Sequence, residues 1–200
     1  MLDAMEFYKR FKESVVENRV HEDGRTFLDI YKNNEKAFTK LVNKTLIHKI
    51  VENSGLTVQH EYFRIDTIGW NGKYLLLDEK RAKEVGLNRH LWDLQIVVEH
   101  ENNKKDWLDE VIKLVHIRCP LKVIIGYNHC DQRDESEIKK LSYVAECMQM
   151  VKAFHATEVE EYLIILGNGS PKDKKAEPYT CFDYRGYLYN PNKEQFERIM

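Results

Sequence analysis

The stretch that decides the fold is Leu94-Gln95-Ile96-Val97-Val98-Glu99-His100-Glu101. Its apolar run is typical of a central β-strand that is covered on both faces. Side chains alternate across a strand, so the residues fall into two sets. One face holds Gln95, Val97, Glu99 and Glu101, and the other holds Leu94, Ile96, Val98 and His100. Two carboxylates are therefore expected to project the same way from the end of a buried strand, about 7 Å apart at their backbones.

Downstream of this strand the pattern alternates between helical and extended segments. The predicted elements are a helix at about Asp106–Ile117, a strand at Lys122–Tyr127, a helix at about Glu135–Phe154, a strand at Tyr162–Leu166 and an edge-like strand at Thr180–Tyr189. Strands that alternate with helices pair in parallel through right-handed crossovers. We therefore expect a parallel group of strands in the centre of the sheet.

Upstream, apolar residues at helical spacing predict amphipathic helices at about Ala4–Val16 and Asn34–Asn53. Two extended runs, Val58–Trp70 and Lys73–Leu77, flank Asn71-Gly72, a pair that favours a two-residue hairpin turn. A short helix is expected over Asp78–Gly86. The predicted fold class is α/β, a single domain over 1–200 with a central mixed sheet of a hairpin and parallel strands, flanked by helices.

The amino-acid composition excludes only some classes of function. The chain has 200 residues, with 31 Lys and Arg against 33 Asp and Glu, a formal net charge of -2. This balance neither predicts nor excludes a nucleic-acid partner, because metal-binding acids offset a basic face. No apolar run approaches the ~20 residues of a membrane-spanning helix. The four cysteines form no C-x-x-C pair and no leader precedes them, which predicts reduced thiols in the cytoplasm.

The pair Glu99 and Glu101 is the strongest candidate site. Neighbouring carboxylates raise each other's pKa unless a cation lies between them, and hard oxygen ligands suit Mg²⁺ or Mn²⁺. Asp66 supplies a third carboxylate if the hairpin register places it opposite Glu99. In the alternative interpretation, Glu99 and Glu101 are solvent-facing residues at the frayed end of a strand.

The order of these residues resembles the PD-(D/E)XK nuclease family, whose core has an acidic residue on a hairpin strand, then an apolar strand that ends in Glu-x-Lys or a variant. Asp66 corresponds to the family's metal-binding Asp, although Ile65 precedes it instead of Pro. Glu99 corresponds to the first acid of the second half-motif. Glu101 stands where Lys is most common, as in the Glu variants among type II restriction enzymes. The resemblance covers about 34–166.

The resemblance implies a restriction-endonuclease-like fold and Mg²⁺- or Mn²⁺-dependent hydrolysis of phosphodiester bonds, in DNA more than in RNA. Glu101 then holds a second metal ion or accepts the proton of the attacking water. The resemblance also implies that an acid from the long helix joins the site, for which Glu35 is a candidate, and that a homodimer cuts both strands. Asp78 is an alternative partner for Glu99, to be decided by the strand register.

Two groups of lysines are candidates for contact with nucleic acid. Lys36, Lys40 and Lys44 recur every four residues along the long helix, and Lys104 and Lys105 follow the acidic strand end. In the alternative interpretation, which is the usual one for such lysines, both groups are ordinary solvated surface. The rival hypothesis for the whole chain is a non-catalytic nuclease-fold protein that binds nucleic acid or a protein partner. A Lys or Arg in the gap between Asp66 and Glu99 would favour this rival.

Overall fold

A computed structural model describes residues 2–20, 24–128, 134–154, 159–168 and 182–199. The chain is an α/β protein whose seven-stranded mixed sheet has the order β1-β2-β3-β4-β5-β6-β7. The strands are β1 Thr57–Tyr62, β2 Ile65–Gly72, β3 Trp92–His100, β4 Leu121–Tyr127, β5 Glu161–Asn168, β6 Asp183–Asn190 and β7 Gln195–Ile199. β3, β4 and β5 pair in parallel and every other pairing is antiparallel. The three parallel strands therefore have their carboxyl ends at the same end of the sheet.

Helices cover both faces of the sheet. The helices are α1 Ala4–Glu17, α2 Phe27–Asn33, α3 Glu35–Lys40, α4 His48–Glu52, α5 Glu79–Glu84, α6 Trp107–Val115 and α7 Asp134–Met150. The core on one face is built with α1 to α4, and the core on the other with α6 and α7. None of the described helices is both long and apolar enough to cross a bilayer.

The apolar runs predicted the centre of the sheet correctly. The strands expected at Leu94–Val98, Lys122–Tyr127 and Tyr162–Leu166 lie within β3, β4 and β5, which are parallel as predicted. The last predicted strand corresponds to β6, although Thr180 and Cys181 lie outside the described residues. β6 is not the edge, because β7 pairs with it, and β7 was not predicted.

The predicted hairpin turn at Asn71-Gly72 is wrong. Both residues continue β2, where they pair with Asp93 and Trp92 of β3. The chain turns instead at Phe63-Arg64, whose φ angles of 48° and 64° lie in the left-handed region. Residues other than Gly, Asn and Asp adopt this region at a cost of about 1 kcal/mol each. The predicted strand at Lys73–Leu77 is also wrong, since Tyr74–Leu76 form a 3₁₀ turn.

A β-bulge changes the faces of β3 near its start. Gly69 pairs with Ile96 whereas the next residue, Trp70, pairs with Leu94, so Gln95 is the extra residue. An extra residue reverses the alternation on the far side of the bulge. Leu94 therefore packs with Val97 against α6 and α7, and the prediction that it shares a face with Ile96 is wrong.

A π-helical turn interrupts the predicted long helix. It spans Leu41–Ile47 and joins α3 to α4 with helical backbone at both junctions, so residues 35–52 form one continuous helix. We call this continuous segment the long helix. A π turn holds one more residue than an α turn and often marks a functional position. It includes Asn43, whose side chain is buried among the apolar residues of this face.

Candidate functional site

The candidate site lies at the carboxyl end of β3, where Asp66 and Glu99 meet. Thr67 pairs with Val98 and Ile68 with Val97, so the next step of the same register sets Asp66 opposite Glu99. The backbone N–H of Asp66 donates to Glu99 Oε2 at 3.3 Å. The backbone N–H of His100 donates in turn to Asp66 Oδ2 at 2.9 Å. The strand register thus places Asp66 opposite Glu99, which was the condition for Asp66 to join the carboxylates of β3.

Burial makes the two carboxylates costly to ionise. The pKa of Glu99 is raised to about 8, mainly by desolvation and then by the nearby charges of Glu110 and Asp66, against the opposing effect of Lys113. Desolvation also raises the pKa of Asp66, against the hydrogen bonds from His100 N–H and from the Asn43 side chain. A cation close to both groups would lower both pKa values and release protons.

Lys113 of α6 already supplies one positive charge. Its Nζ lies 2.8 Å from Glu99 Oε1 and also pairs with Glu110. The same ammonium donates to the carbonyl oxygen of Arg64 at 3.1 Å. Burial lowers the pKa of Lys113, but its hydrogen bonds to Glu110 and Glu99 outweigh burial and raise it. This role is not predictable from the sequence, because Glu110 and Lys113 have the spacing of an ordinary surface pair on a helix.

Glu101 lies at the rim and does not complete a set of three carboxylates. Its Oε1 accepts the N–H of Asn103 at 2.6 Å, within its own loop. Burial raises its pKa, and the charges of Glu110, Asp106 and Asp66 raise it further. Among the described residues, no group of three His, Cys, Asp or Glu side chains is arranged to hold a metal ion. The structure therefore brings together Asp66 and Glu99, with Glu101 beside them.

Asn43 adds an oxygen that the sequence analysis missed. The side chain is 3% exposed, and its Oδ1 has no hydrogen-bond partner among the described residues. A buried amide oxygen without a partner is unfavourable unless a ligand completes it. Mg²⁺ binds one or two carboxylates and keeps several waters. Asp66 and Glu99 supply carboxylate oxygens of this kind, and the Asn43 side chain approaches Asp66 as a hydrogen-bond donor. The signal for Asn43 in the sequence was a polar residue on an apolar helical face.

The two additional acidic candidates are not brought to this site. Glu35 is exposed at the first turn of α3, and Asn43 is the long-helix residue that reaches Asp66 instead. Asp78 caps α5, where its Oδ1 accepts the N–H of Lys80 at 2.9 Å. It belongs to the connection that leaves the other end of β2, so the register does not favour it over Asp66.

The candidate lysines line two separate grooves. Lys36, Lys40 and Lys44 are exposed along an open groove of about 710 Å³ on the long helix. Thr39, on the same groove, accepts a 2.6 Å hydrogen bond from Asn102 of the loop after β3. Lys104 and Lys105 line a second groove, of about 390 Å³, with Trp107 and Tyr143.

A pair of histidines, also missed in the sequence, borders the centre. His48 Nδ1 lies 3.0 Å from His60 Nε2, and the rings stack. His60 Nδ1 lies 3.0 Å from Thr67 Oγ1 and 3.3 Å from the Asp66 carbonyl oxygen. Burial and then the charge of Lys44 lower the pKa of His60. The pair keeps the strand that carries Asp66 attached to the long helix.

Comparison with family models, with curated proteins and with solved structures found no significant match to this chain. The fold itself is an α/β arrangement with a seven-stranded mixed sheet flanked by helices. Its function is therefore argued from the geometry of the site.

Proposed function

We propose that this chain is a divalent-metal-dependent phosphodiester hydrolase with a restriction-endonuclease-like fold, and that it acts on DNA. The observation that carries the proposal is the contact of Asp66 with Glu99 at the carboxyl end of the central strand. Around that contact the carboxylates of Asp66, Glu99, Glu101 and Glu110 outnumber the single ammonium of Lys113. An excess of buried acids favours a bound cation.

Asp66 and Glu99 are the proposed ligands of Mg²⁺ or Mn²⁺. When bound, the ion polarises a phosphoryl oxygen and lowers the pKa of a coordinated water. The raised pKa of Glu101 makes it a stronger base than an ordinary glutamate, which suits it to accept the proton of the attacking water. Its place at the rim, half-buried in the loop, leaves it within reach of solvent.

Lys113 supplies a positive charge that the sequence motif of this chain lacks. The resembling family most often has a lysine two residues after the Glu99 position, where this chain has Glu101. Here α6 delivers an ammonium to Glu99 from another element. We assign Lys113 to the phosphate, where its charge stabilises the negative charge that develops during displacement.

The two groups of lysines support a nucleic-acid substrate. Lys36, Lys40 and Lys44 in one groove, and Lys104 and Lys105 in the other, suit a phosphate backbone, and the preference for DNA over RNA follows from the family resemblance. The proposal includes a cytoplasmic location, with which the free thiols of Cys119 and Cys147 are consistent.

A second candidate function has its own support. The ammonium of Lys113 lies at Glu99 Oε1, a position that a metal ion would otherwise contact. A lysine beside Glu99 is the arrangement that the sequence analysis associated with the non-catalytic alternative. In this alternative the Glu99–Lys113 pair is structural, and the chain binds nucleic acid or a protein without cleaving it. The two functions make opposite predictions for cleavage in the presence of metal.

The test is cleavage of supercoiled plasmid DNA with Mg²⁺ or Mn²⁺. We expect Glu99→Gln to lower the nicking rate about 100-fold or more, because it removes a metal ligand but keeps the shape of the side chain. Glu160→Gln is the matched control, since Glu160 also pairs with a lysine, Lys122, at 2.7 Å on the same face of the sheet. The control should retain the rate of the unmodified protein.

The outcomes separate the candidates. Nicking that persists in Glu99→Gln would remove the assigned site. Binding of DNA by the unmodified chain without any metal-dependent nicking would establish the second function. Lys113→Met sharpens the choice, because the proposed nuclease loses activity with it, whereas a structural pair affects only stability.

A further inference from the structure

The tip of the β1–β2 hairpin carries an exposed aromatic ring beside the candidate site. Phe63 is 81% exposed and its ring contacts the edge of Tyr62, with 4.6 Å between the ring centroids. A phenyl ring so exposed gains little from the hydrophobic effect in the folded chain. The core therefore does not explain why phenylalanine stands at this position.

The backbone of the tip is unfavourable for the residues that form it. Phe63 and Arg64 both have positive φ, and Glu61 before them has a φ of 57°. Two-residue hairpin turns of this kind favour Asn-Gly or Asp-Gly. Strained positions that persist without a structural reward are concentrated at functional sites. Phe63 and Arg64 thus occupy this turn although its backbone conformation is unfavourable for both residues.

Arg64 adds a cation to the ring. Its side chain is exposed, and no carboxylate of the described residues lies within ion-pair distance of it. The tip also connects directly to the acidic centre, because Lys113 bonds both to the Arg64 carbonyl oxygen and to Glu99. Three residues separate Phe63 from Asp66, and because the chain turns at Phe63-Arg64 their backbones lie less than about 10 Å apart. The ring consequently lies within about three nucleotides of the proposed cleavage point, at ~3.4 Å per stacked base.

We propose that Phe63 and Arg64 form a contact for single-stranded nucleic acid, in which the ring stacks on an unpaired base and the guanidinium holds an adjacent phosphate. This inference rests on the proposed function and names its substrate class. An unpaired base offers a free face to an aromatic ring, whereas a base inside a duplex must first be unstacked. The preferred substrate is thus a strand, or a duplex with an unpaired segment next to the cleaved bond.

The test measures the affinity for fluorescein-labelled oligonucleotides by fluorescence anisotropy, in a Glu99→Gln background so that the probes stay intact. The probes are a single strand, the matching duplex and a duplex with a single-stranded flap. We expect Phe63→Ala to weaken binding of the strand and the flap about tenfold, the typical loss of one stacked base. Binding of the duplex should change less than twofold. Arg64→Gln should weaken the same two probes and reduce their salt dependence.

Two variants separate recognition from folding. Phe63→Asn suits the left-handed backbone, so it should raise the thermal midpoint by about 3 °C while it weakens binding as much as Phe63→Ala does. A residue with a merely structural role would not give these opposite signs. Leu75→Ala is the matched control, because Leu75 is an 84% exposed apolar residue in the connection at the other end of β2. It should leave all three affinities unchanged.

The possible failures can be told apart. If the parent binds the strand and Phe63→Ala binds it equally well, the tip is not the contact, and the proposed nuclease function is unaffected. Equal losses on strand and duplex would overturn the preference for unpaired bases. If the parent binds none of the probes, the nuclease proposal and this inference fail together. Self-association that depends on Phe63 in sedimentation velocity, with unchanged affinities, would assign the ring to a second copy of the chain.

Discussion

Two ion pairs lie on the same face of the sheet, and they differ in charge balance. Lys122 of β4 pairs with Glu160 at 2.7 Å, donates to the Tyr162 hydroxyl at 2.7 Å and lies over the Tyr162 ring. Its side chain is 1% exposed, whereas that of Lys113 is 34% exposed. The Lys122 pair has one acid for one base. Lys113 faces Glu99 and Glu110 together, with Asp66 behind them.

This difference in charge balance distinguishes a structural ion pair from a candidate functional site. A buried charge with one good partner is compensated, and its removal leaves the partner without compensation. A cluster with more acids than bases is not compensated by the protein alone. Burial is the largest cause of its raised carboxyl pKa values, and the neighbouring acids raise them further. The Lys122–Glu160 pair is therefore balanced in charge. The cluster around Glu99 requires a bound proton or a further cation.

The largest effect is expected at the balanced pair. Lys122→Ala should lower the free energy of unfolding by about 3 to 5 kcal/mol, because it leaves Glu160 uncompensated and opens a cavity. Lys113→Ala should cost about 1 kcal/mol at pH 6, where Glu99 is protonated. Urea unfolding at pH 6 measures both. Equal losses would contradict the distinction, and Lys122→Met with Glu160→Leu should recover most of the stability.

Replacing glutamate with glutamine should have opposite signs at the two pairs. The pKa of Glu99 rises from 4.5 to about 8, so the folded state binds more protons than the unfolded state between these pH values. Stability is therefore lost as the pH rises through this window. At pH 8.5 without divalent metal, Glu99→Gln should raise the free energy of unfolding by about 2 kcal/mol. Glu160→Gln should lower it at the same pH, and a loss in both variants would remove the contrast.

Divalent metal should stabilise only the chain with the intact acidic cluster. At a Mg²⁺ concentration ten times its dissociation constant, the expected gain in unfolding free energy is about 1.4 kcal/mol. Thermal unfolding with increasing Mg²⁺ measures it at pH 8. The gain should disappear in Glu99→Gln and persist in Glu160→Gln. The same shift in both variants would place the ion elsewhere.

The accuracy of the predictions from sequence differed between the buried strands, the hairpin turn and the candidate site. The buried strands were predictable because runs such as Leu94–Val98 and Lys122–Tyr127 leave few alternatives to a central position. The hairpin turn was not, since Asn71-Gly72 has the stronger local signal and pairing with β3 overrides it. At the site, Asp66 and Glu99 were found from strand order. Lys113 and Asn43 reach them from separate helices, and only tertiary packing determines that approach.

The order of the strands also has a consequence for how the chain is made. Each strand pairs with the one that precedes it, so the sheet can grow in step with synthesis on the ribosome. α1 is the exception, because the N–H of Ala4 bonds to Glu161 and the hydroxyl of Tyr8 bonds to the Tyr184 carbonyl oxygen. The part of α1 that packs on β5 and β6 can therefore dock only after nearly the last strands have been made, whereas its contact with Ser54 at the end of the long helix can form earlier. Until then Phe11 lacks its partner Tyr184, and this apolar side of α1 is exposed to aggregation.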